Sequence, residues 1–384
     1  MKQYDVIIVG GGFGGLYAAK KLITAGKSVL LISTTDYFTF TPLLIDAFSG
    51  ELPCSAASFN FYDFLRHRNF SFVCDTVTHV DADRRSVTTP AGTYQGEYIV
   101  LAPGSIDRPM AIDGSEHTLH FKTLSDVRRA QQIFLEKLEQ TDKPFEVSII
   151  GAGVTGIEIA FAVKELACRV GKRQQVRLRL FNDTDTLLPL FSARTRAYLS
   201  YRFDVEGIQV HAQTAITKIT SSQVHAGGQI FNSQMTFFAA GVVPNTGMLN
   251  PSMLDARGYV VVNEFLQLVH HERIFAIGDS VTLRQWNIPK LAQTAVVQGK
   301  HVASNIVRHA RRKKMVPYRP KILGRVLSLG KWHAAVEIHG FVFTGLFAYG
   351  ARSGTYVFKM PGLRYKIRVL TTWVVRTLHR SNFL

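Results

Sequence analysis

Two stretches of the chain set three glycines in the spacing GxGxxG. They are Gly10, Gly12 and Gly15 in VIIVGGGFGGLYAA, and Gly151, Gly153 and Gly156 in SIIGAGVTGIEIA. Phe13 and Gly14 fill the first turn, and Val154 and Thr155 the second. Each set comes after an apolar strand-like run and leads into a helix-forming run. That frame gives the glycines distinct tasks. The first allows a tight turn, the second lets backbone approach a pyrophosphate, and the third lets helix and strand pack closely. The helix N-terminus then offers N–H groups and partial positive charge to phosphate. A lone GxGxxG is a weak signal; between a strand and a helix it is specific. Two dinucleotides are therefore expected.

A dinucleotide turn usually has Asp or Glu at the end of the next strand, for the adenosine ribose. Here LLISTTD puts Ser33 at that place, with Asp36 three residues on, and VRLRLF ends at Asn182-Asp183. With Asn182 rather than a carboxylate directly at the second strand end, the choice between NADH and NADPH stays open. Glu158 lies two residues beyond Gly156. Its side chain would either favour the helix dipole, contact the nicotinamide half of a cofactor, or relay protons near a flavin. A third segment, RIFAIGDS, ends a strand in Gly278-Asp279 at an expected helix start. Asp279 is placed to accept bonds from the ribityl hydroxyls of a flavin, and helix N–H groups to meet its phosphate.

Both turns need strands and helices to position them. Asp5–Val9, a turn, Leu16–Ala25 and Ser28–Ile32 form one βαβ unit, and Val147–Ile150, a turn, Ile157–Leu166 and Val176–Phe181 repeat it. The chain of 384 residues has room for two or three domains. Residues 1–122 and 254–320 are expected to form a discontinuous FAD-binding domain. Residues 123–253 are expected to bind NAD(P)H, and 321–384 to make a small C-terminal, membrane-associated unit. The fold class is α/β, with two Rossmann-like dinucleotide-binding domains. Nothing at the N-terminus reads as a signal peptide, and no apolar run is long enough to span a bilayer. Cys54, Cys74 and Cys168 are far apart and form no CxxC pair, which excludes a sequence-evident redox disulfide or zinc site. A net charge of +17 attracts polyanions, but no zinc-finger spacing or RNA-binding aromatic pattern supports nucleic acid as the partner.

The ordered set of both turns, APGS (Ala102–Ser105), AAGVVPN (Ala239–Asn245) and FAIGD resembles the two-dinucleotide flavoprotein superfamily. Within it the chain resembles the type II NADH dehydrogenase family of membrane-associated NADH:quinone oxidoreductases. YFTFTPLL (Tyr37–Leu44), LHFKTL, LLPLF, LAQTAVVQGKHVASNI and SLGKWHAAVEIHGF carry that resemblance over nearly the whole chain. It implies bound FAD, with Ser33, Pro42, Ala102 and Gly104 joining the first turn and Gly278-Asp279. It implies that Asn182 and Gly241 join the second turn around NADH or NADPH. Ala292, Gln293, Thr294 and Ala295 match the segment that meets the flavin ring and lines the quinone site. A second glutamine is usual four residues after Gln293; this chain has Val297 there, with Gln298 next. Glu158 and Gln293 are the expected catalytic residues.

The C-terminal stretch MPGLRYKIRVLTTWVVRTLHR sets Leu363, Ile367, Leu370, Val374 and Leu378 on one helical stripe. Arg368, Thr372, Arg376, His379 and Arg380 lie opposite, and Trp373 at the margin. Such a helix fits an anionic membrane surface, or else the protein's own core or a homodimer partner. The resulting expectation is a peripheral NAD(P)H:quinone oxidoreductase at the cytoplasmic face of a membrane, moving electrons without proton pumping. Its alternatives are a relative of the ferroptosis-suppressor or apoptosis-inducing-factor type and a slow-turnover redox sensor.

Overall fold

The run VIIV is buried on both faces, as a strand must be when helices cover a parallel sheet on both sides. In this computed structural model, which describes residues 3–283, 286 and 288–378 (the last three by backbone alone), that strand is Gln3–Val9. It lies centrally in a ten-stranded sheet, between Val29–Ser33 and Gly92–Leu101 and parallel to both. Phe70–Cys74 extends one side and His271–Ala276 the other, again in parallel. The chain divides into two compact units, and this sheet belongs to the first, residues 1–39, 59–106 and 242–322.

Helix Phe13–Thr24 leaves the sheet at the first glycine turn and packs on helix Ala292–Ala310. The close approach requires glycine. A Cβ on Gly299 would fall 2.3 Å from the Gly14 carbonyl oxygen. The first helix starts at Phe13, three residues earlier than periodicity suggests, because the turn glycines Gly14 and Gly15 are already helical. The segment at Gly278-Asp279 differs from expectation. It is a single 3-10 turn, Gly278–Ser280, followed by strand Val281–Leu283; the long helix begins only at Ala292.

The second unit comprises residues 40–58, 107–241 and 323–384. Its five-stranded sheet has the order Thr118–Leu119, Met235–Phe238, Phe145–Ile150, Val176–Phe181, Ile208–His211, all parallel. Helix Val154–Arg169 comes after the second glycine turn. The short helix Leu44–Phe48 belongs here because its Phe48 ring sits 5.5 Å from Phe121, 5.8 Å from Phe237 and 6.3 Å from Phe134. Residues from 323 onward form an antiparallel sheet, Arg325–Ser328, Ala334–Ile338 and Phe341–Thr344, and two helices, Gly345–Lys359 and Leu363–Leu378. The first of those helices is not foreseen from sequence.

Candidate functional site

The two glycine turns are near copies. Gly10 and Gly151 each have φ of +100°, and a Cβ would fall 2.2 Å from the Ala102 oxygen in one and 2.5 Å from the Ala239 oxygen in the other. A Cβ on Gly15 or Gly156 would fall 1.9 Å from the carbonyl oxygen of Gly10 or Gly151. Gly12 and Gly153 behave oppositely. Both are exposed, and nothing lies within 4 Å of where their Cβ would be. Each N-caps its helix, with the first helical bond running from Leu16 to the Gly12 carbonyl (2.9 Å) and from Ile157 to the Gly153 carbonyl (3.0 Å). An open glycine beside a helix N-terminus is the cradle a pyrophosphate needs. Both sites fit a dinucleotide.

In the first unit, Ser33 ends its strand with Oγ against the turn, 2.9 Å from where a Gly11 Cβ would sit, while Asp36 is exposed. Phe13 packs edge-on against Phe38 with centroids 4.9 Å apart. Ala102 backs Gly10, and Gly104 takes φ of +73°. Asp279 accepts a hydrogen bond from Ser105 Oγ (3.0 Å). Ala292 and Gln293 begin their helix half-buried, followed by buried Thr294 and Ala295. Ala295 Cβ lies 3.8 Å from where a Gly278 side chain would begin. Sequence reasoning gives Gln298 no role beyond standing one place past the expected glutamine. It is fully buried, and its Oε1 accepts from Gly278 N–H at 2.7 Å, while Val297 is turned outward.

In the second unit, Asn182 braces the turn: Oδ1 accepts from Ala152 N–H (3.2 Å) and Nδ2 donates to Thr184. Val154 and Thr155 are exposed beside Gly153. Gly241 has φ of +104°, and its carbonyl accepts from Arg108 N–H (3.1 Å). Pro42 falls in this unit, on a 3-10 turn, Thr41–Leu43.

Glu158 does not serve its own helix end. Its Oε1 accepts from Ser328 N–H at 2.9 Å, so it reaches the C-terminal sheet. Protein encloses the carboxyl, and that desolvation pushes it up to about 7, against the hydrogen bond from Ser328 and the charge of Arg352, with Asp46 adding to the rise. Arg352 is itself buried. Its Nη2 lies 2.8 and 2.9 Å from the two Asp46 oxygens, and its guanidinium lies 4.7 Å from the Tyr356 ring centre. Burial pushes Asp46 up to about 6, opposed by Arg352 and aided by Glu51. Tyr349 donates to Glu51 in the same cluster. Burial raises both Tyr349 and Tyr356, so both stay protonated. Arg352, Asp46 and Tyr356 are missed by sequence reasoning. One signal is there: Asp46 is a lone carboxylate in the apolar run PLLIDAF, and a buried charge needs a partner.

At the C-terminus the apolar stripe is uncovered. Leu363, Ile367, Leu370 and Val374 are 72, 51, 46 and 56% exposed, and on the preceding helix Phe347 and Phe358 are 88 and 78% exposed. Arg368 donates to Ser55 at 2.7 Å. Of Arg376 and Leu378 only the backbone is described, and His379 and Arg380 lie outside the described residues. Among the described residues no helix is long and apolar enough to cross a membrane. All three cysteines are free thiols.

Known proteins are similar to this chain in sequence and in fold. The chain is 26% identical to the alternative NAD(P)H-ubiquinone oxidoreductase C1 of Arabidopsis thaliana, over 98% of this chain and 81% of that protein. It is 25% identical to the type II NADH:quinone oxidoreductase Ndh of Mycobacterium tuberculosis, over 98% and 89% of the two chains. In fold it is similar to NDH2 from Plasmodium falciparum, solved in complex with NADH, with a TM-score of 0.89 at 15% identity, covering 97% of this chain and 98% of that one. It is also similar to the sulfide:quinone oxidoreductase of Aquifex aeolicus, with a TM-score of 0.80 at 20% identity, covering 93% and 90%. The family profile described as pyridine nucleotide-disulphide oxidoreductase matches residues 4–299. Spanning both glycine turns and most of the chain, that match settles the family: this chain belongs to the pyridine nucleotide-disulphide oxidoreductases.

Proposed function

We propose that the protein is an NAD(P)H:quinone oxidoreductase that binds FAD at the first glycine turn and NADH or NADPH at the second, and works on a membrane surface. The observation that carries this reading is the pair of open cradles at Gly12 and Gly153, each at a helix N-terminus. The similarity to NAD(P)H-ubiquinone and type II NADH:quinone oxidoreductases supports quinone as the acceptor. Bound flavin would supply the redox chemistry, accepting hydride from the nicotinamide and passing two electrons to a quinone.

The chain's own residues have assignable tasks. Gly10, Gly12, Phe13, Gly14 and Gly15 hold the FAD pyrophosphate, with Ser33 at the ribose. Asp279, oriented by Ser105, takes the ribityl hydroxyls, and Gln298 fixes the Gly278 turn that carries it. Ala102 and Gly104 complete the FAD contacts, and Ala292–Ala295 meets the ring, with Gln293 facing the acceptor. Gly151, Gly153, Val154, Thr155 and Gly156 hold the nicotinamide dinucleotide, with Asn182 and Gly241. Glu158 handles protons for quinone reduction, since a carboxyl raised to about 7 both binds and releases a proton near neutral pH. The free thiols are not needed as a relay.

The uncovered stripe of Leu363, Ile367, Leu370 and Val374, with Phe347, Phe358 and the net charge of +17, supports docking on anionic lipid. Each fully buried aliphatic side chain contributes ~1.5–3 kcal/mol, and each nearby basic residue ~1 kcal/mol. Removing residues 363–384 should release the protein from anionic liposomes at low salt. Reduction of a soluble short-chain quinone should survive; equal co-sedimentation of both forms would assign the helix to a dimer interface instead. The activity is tested by purifying the protein, recording its visible spectrum, and adding NADH and then a short-chain quinone without oxygen. A yellow protein bleached by NADH and restored by quinone is expected. A colourless protein that takes up no added FAD would refute the reading.

A further inference from the structure

The second unit contains a cavity of about 150 Å³ between helix Val154–Arg169, helix Ala193–Glu206 and the turn at Gly330–His333. It is separate from the dinucleotide turn, since Lys164 stands ~15 Å along the helix from Val154. Its wall holds four fixed cations, Lys164, Arg173, Arg202 and Lys331, against two carboxylates, Glu165 and Glu206. Those carboxylates do not balance it. Glu165 is engaged by Arg169 at 3.5 Å. Glu206 is shared, Arg202 on one oxygen at 2.7 Å and Arg173 on the other.

Two of the cations are buried, Lys164 at 8% and Arg202 at 6% exposure. The Lys164 ammonium donates to the Val176 carbonyl at 2.6 Å, a neutral acceptor that brings no counter-charge. The Nε of Arg202 is buried with no hydrogen-bond partner among the described residues. Burial holds Lys164 below its ordinary range against the attraction of Glu206, and Arg173 adds to the lowering. Four cations outnumber the two carboxylates here, and buried charge in excess of its counter-charge is costly.

We propose that this cavity binds a small oxyanion of the phosphate class, gripped by Lys164, Arg173, Arg202 and Lys331. Guanidinium groups match tetrahedral oxyanions in geometry and charge, and the ammoniums add point charge. Size limits the ligand. With a water occupying ~30 Å³, the cavity takes one oxyanion and a few waters. It is well short of the ~300 Å³ at which pockets for larger organic ligands begin.

The test is calorimetric titration of the flavin-loaded protein in phosphate-free buffer. Saturating NAD⁺ keeps the dinucleotide turn filled. The probes are inorganic phosphate, phenyl phosphate and chloride at matched ionic strength. Saturable binding of inorganic phosphate is expected, with chloride giving none. Phenyl phosphate distinguishes a free ion from the phosphate end of a larger ligand. Lys331→Ala, on a partly exposed turn where folding is not at stake, should weaken binding at least ~10-fold, and Arg173→Ala likewise. Lys143→Ala, an exposed lysine outside the cavity, should change nothing. No saturable binding of either phosphate species, or affinity unmoved in both cavity variants, would overturn the proposal.

Discussion

The two glycine turns are the same device until the residue two places beyond the third glycine. There the first turn has Tyr17 and the second Glu158. Tyr17 is half-buried, edge-on to Phe64, with the Lys300 ammonium 5.1 Å from its ring centre. Glu158 points into protein, receives Ser328 N–H, and titrates near 7. One helix therefore presents only its N-terminus to its turn, whereas the other also delivers a titratable group. In the proposed scheme, binding is carried by backbone and shared by both turns, and proton chemistry is carried by the Glu158 side chain of the second alone.

The largest effects should come from the glycines whose backbone leaves no room. Gly10→Ala and Gly151→Ala place a Cβ 2.2 and 2.5 Å, respectively, from a carbonyl oxygen, at a φ that L-residues rarely adopt. Neither variant should give soluble, cooperatively folding protein, and thermal unfolding followed by circular dichroism checks this. If both melted like wild type, the close approach would not be a constraint.

Next comes Glu158→Gln. Loss of a positioned proton donor typically costs ~10²–10⁴-fold, so quinone turnover should fall at least ~100-fold. Flavin reduction by NADH should be little changed, and the pH inflection near 7 should vanish. Stability gives an independent reading. A carboxyl raised from 4.5 to about 7 binds more protons in the folded state across that window, so stability falls as pH rises through it. The loss is roughly 3–4 kcal/mol over the whole window, and the Gln variant should lack it. A melting series from pH 5 to 8 with the same slope for both proteins would place the titration elsewhere.

Gln298 and Gln293 lie on one helix and should separate cleanly. Gln298→Ala leaves the Gly278 N–H without its acceptor and should cost ~1–3 kcal/mol with loosened flavin binding. Gln293→Ala should leave stability alone and slow reoxidation by quinone a few-fold in stopped flow. Equal slowing of both half-reactions would mean general damage at the flavin. Smallest of all, replacing Cys54, Cys74 and Cys168 together by Ser should leave turnover within about twofold, since the free thiols carry no electrons in this scheme. Loss of flavin reduction in that variant would show a thiol in the path.

The backbone-borne part of this protein is legible in its sequence. Glycine spacing after an apolar strand dictates a local turn, so both turns and their strand neighbours can be read directly. Helix Leu363–Leu378 is legible for the same reason, its stripe being a local periodicity. What escapes is long-range. Arg352 and Asp46 are 306 residues apart and meet only because helices from both ends of the chain pack in one unit. Nothing near Arg352 in sequence announces a buried guanidinium. Gln298 is undervalued by a spacing that favours position 297, yet the helix turns Gln298 inward and Val297 outward. The 3-10 turn at Gly278 reads as a helix start because a strand–Gly–Asp pattern alone does not fix the next element.

The central claim is that the two open cradles hold different dinucleotides. It is tested most directly by Gly12→Leu and Gly153→Leu, compared by flavin absorbance per protein and by bleaching with NADH. Both glycines have ordinary negative φ and open space around them, so both variants should fold. Gly12→Leu should be colourless. Gly153→Leu should stay yellow and fail to bleach with NADH while still bleaching with dithionite. Two yellow proteins that both bleach with NADH, or loss of flavin from the Gly153 variant alone, would contradict it.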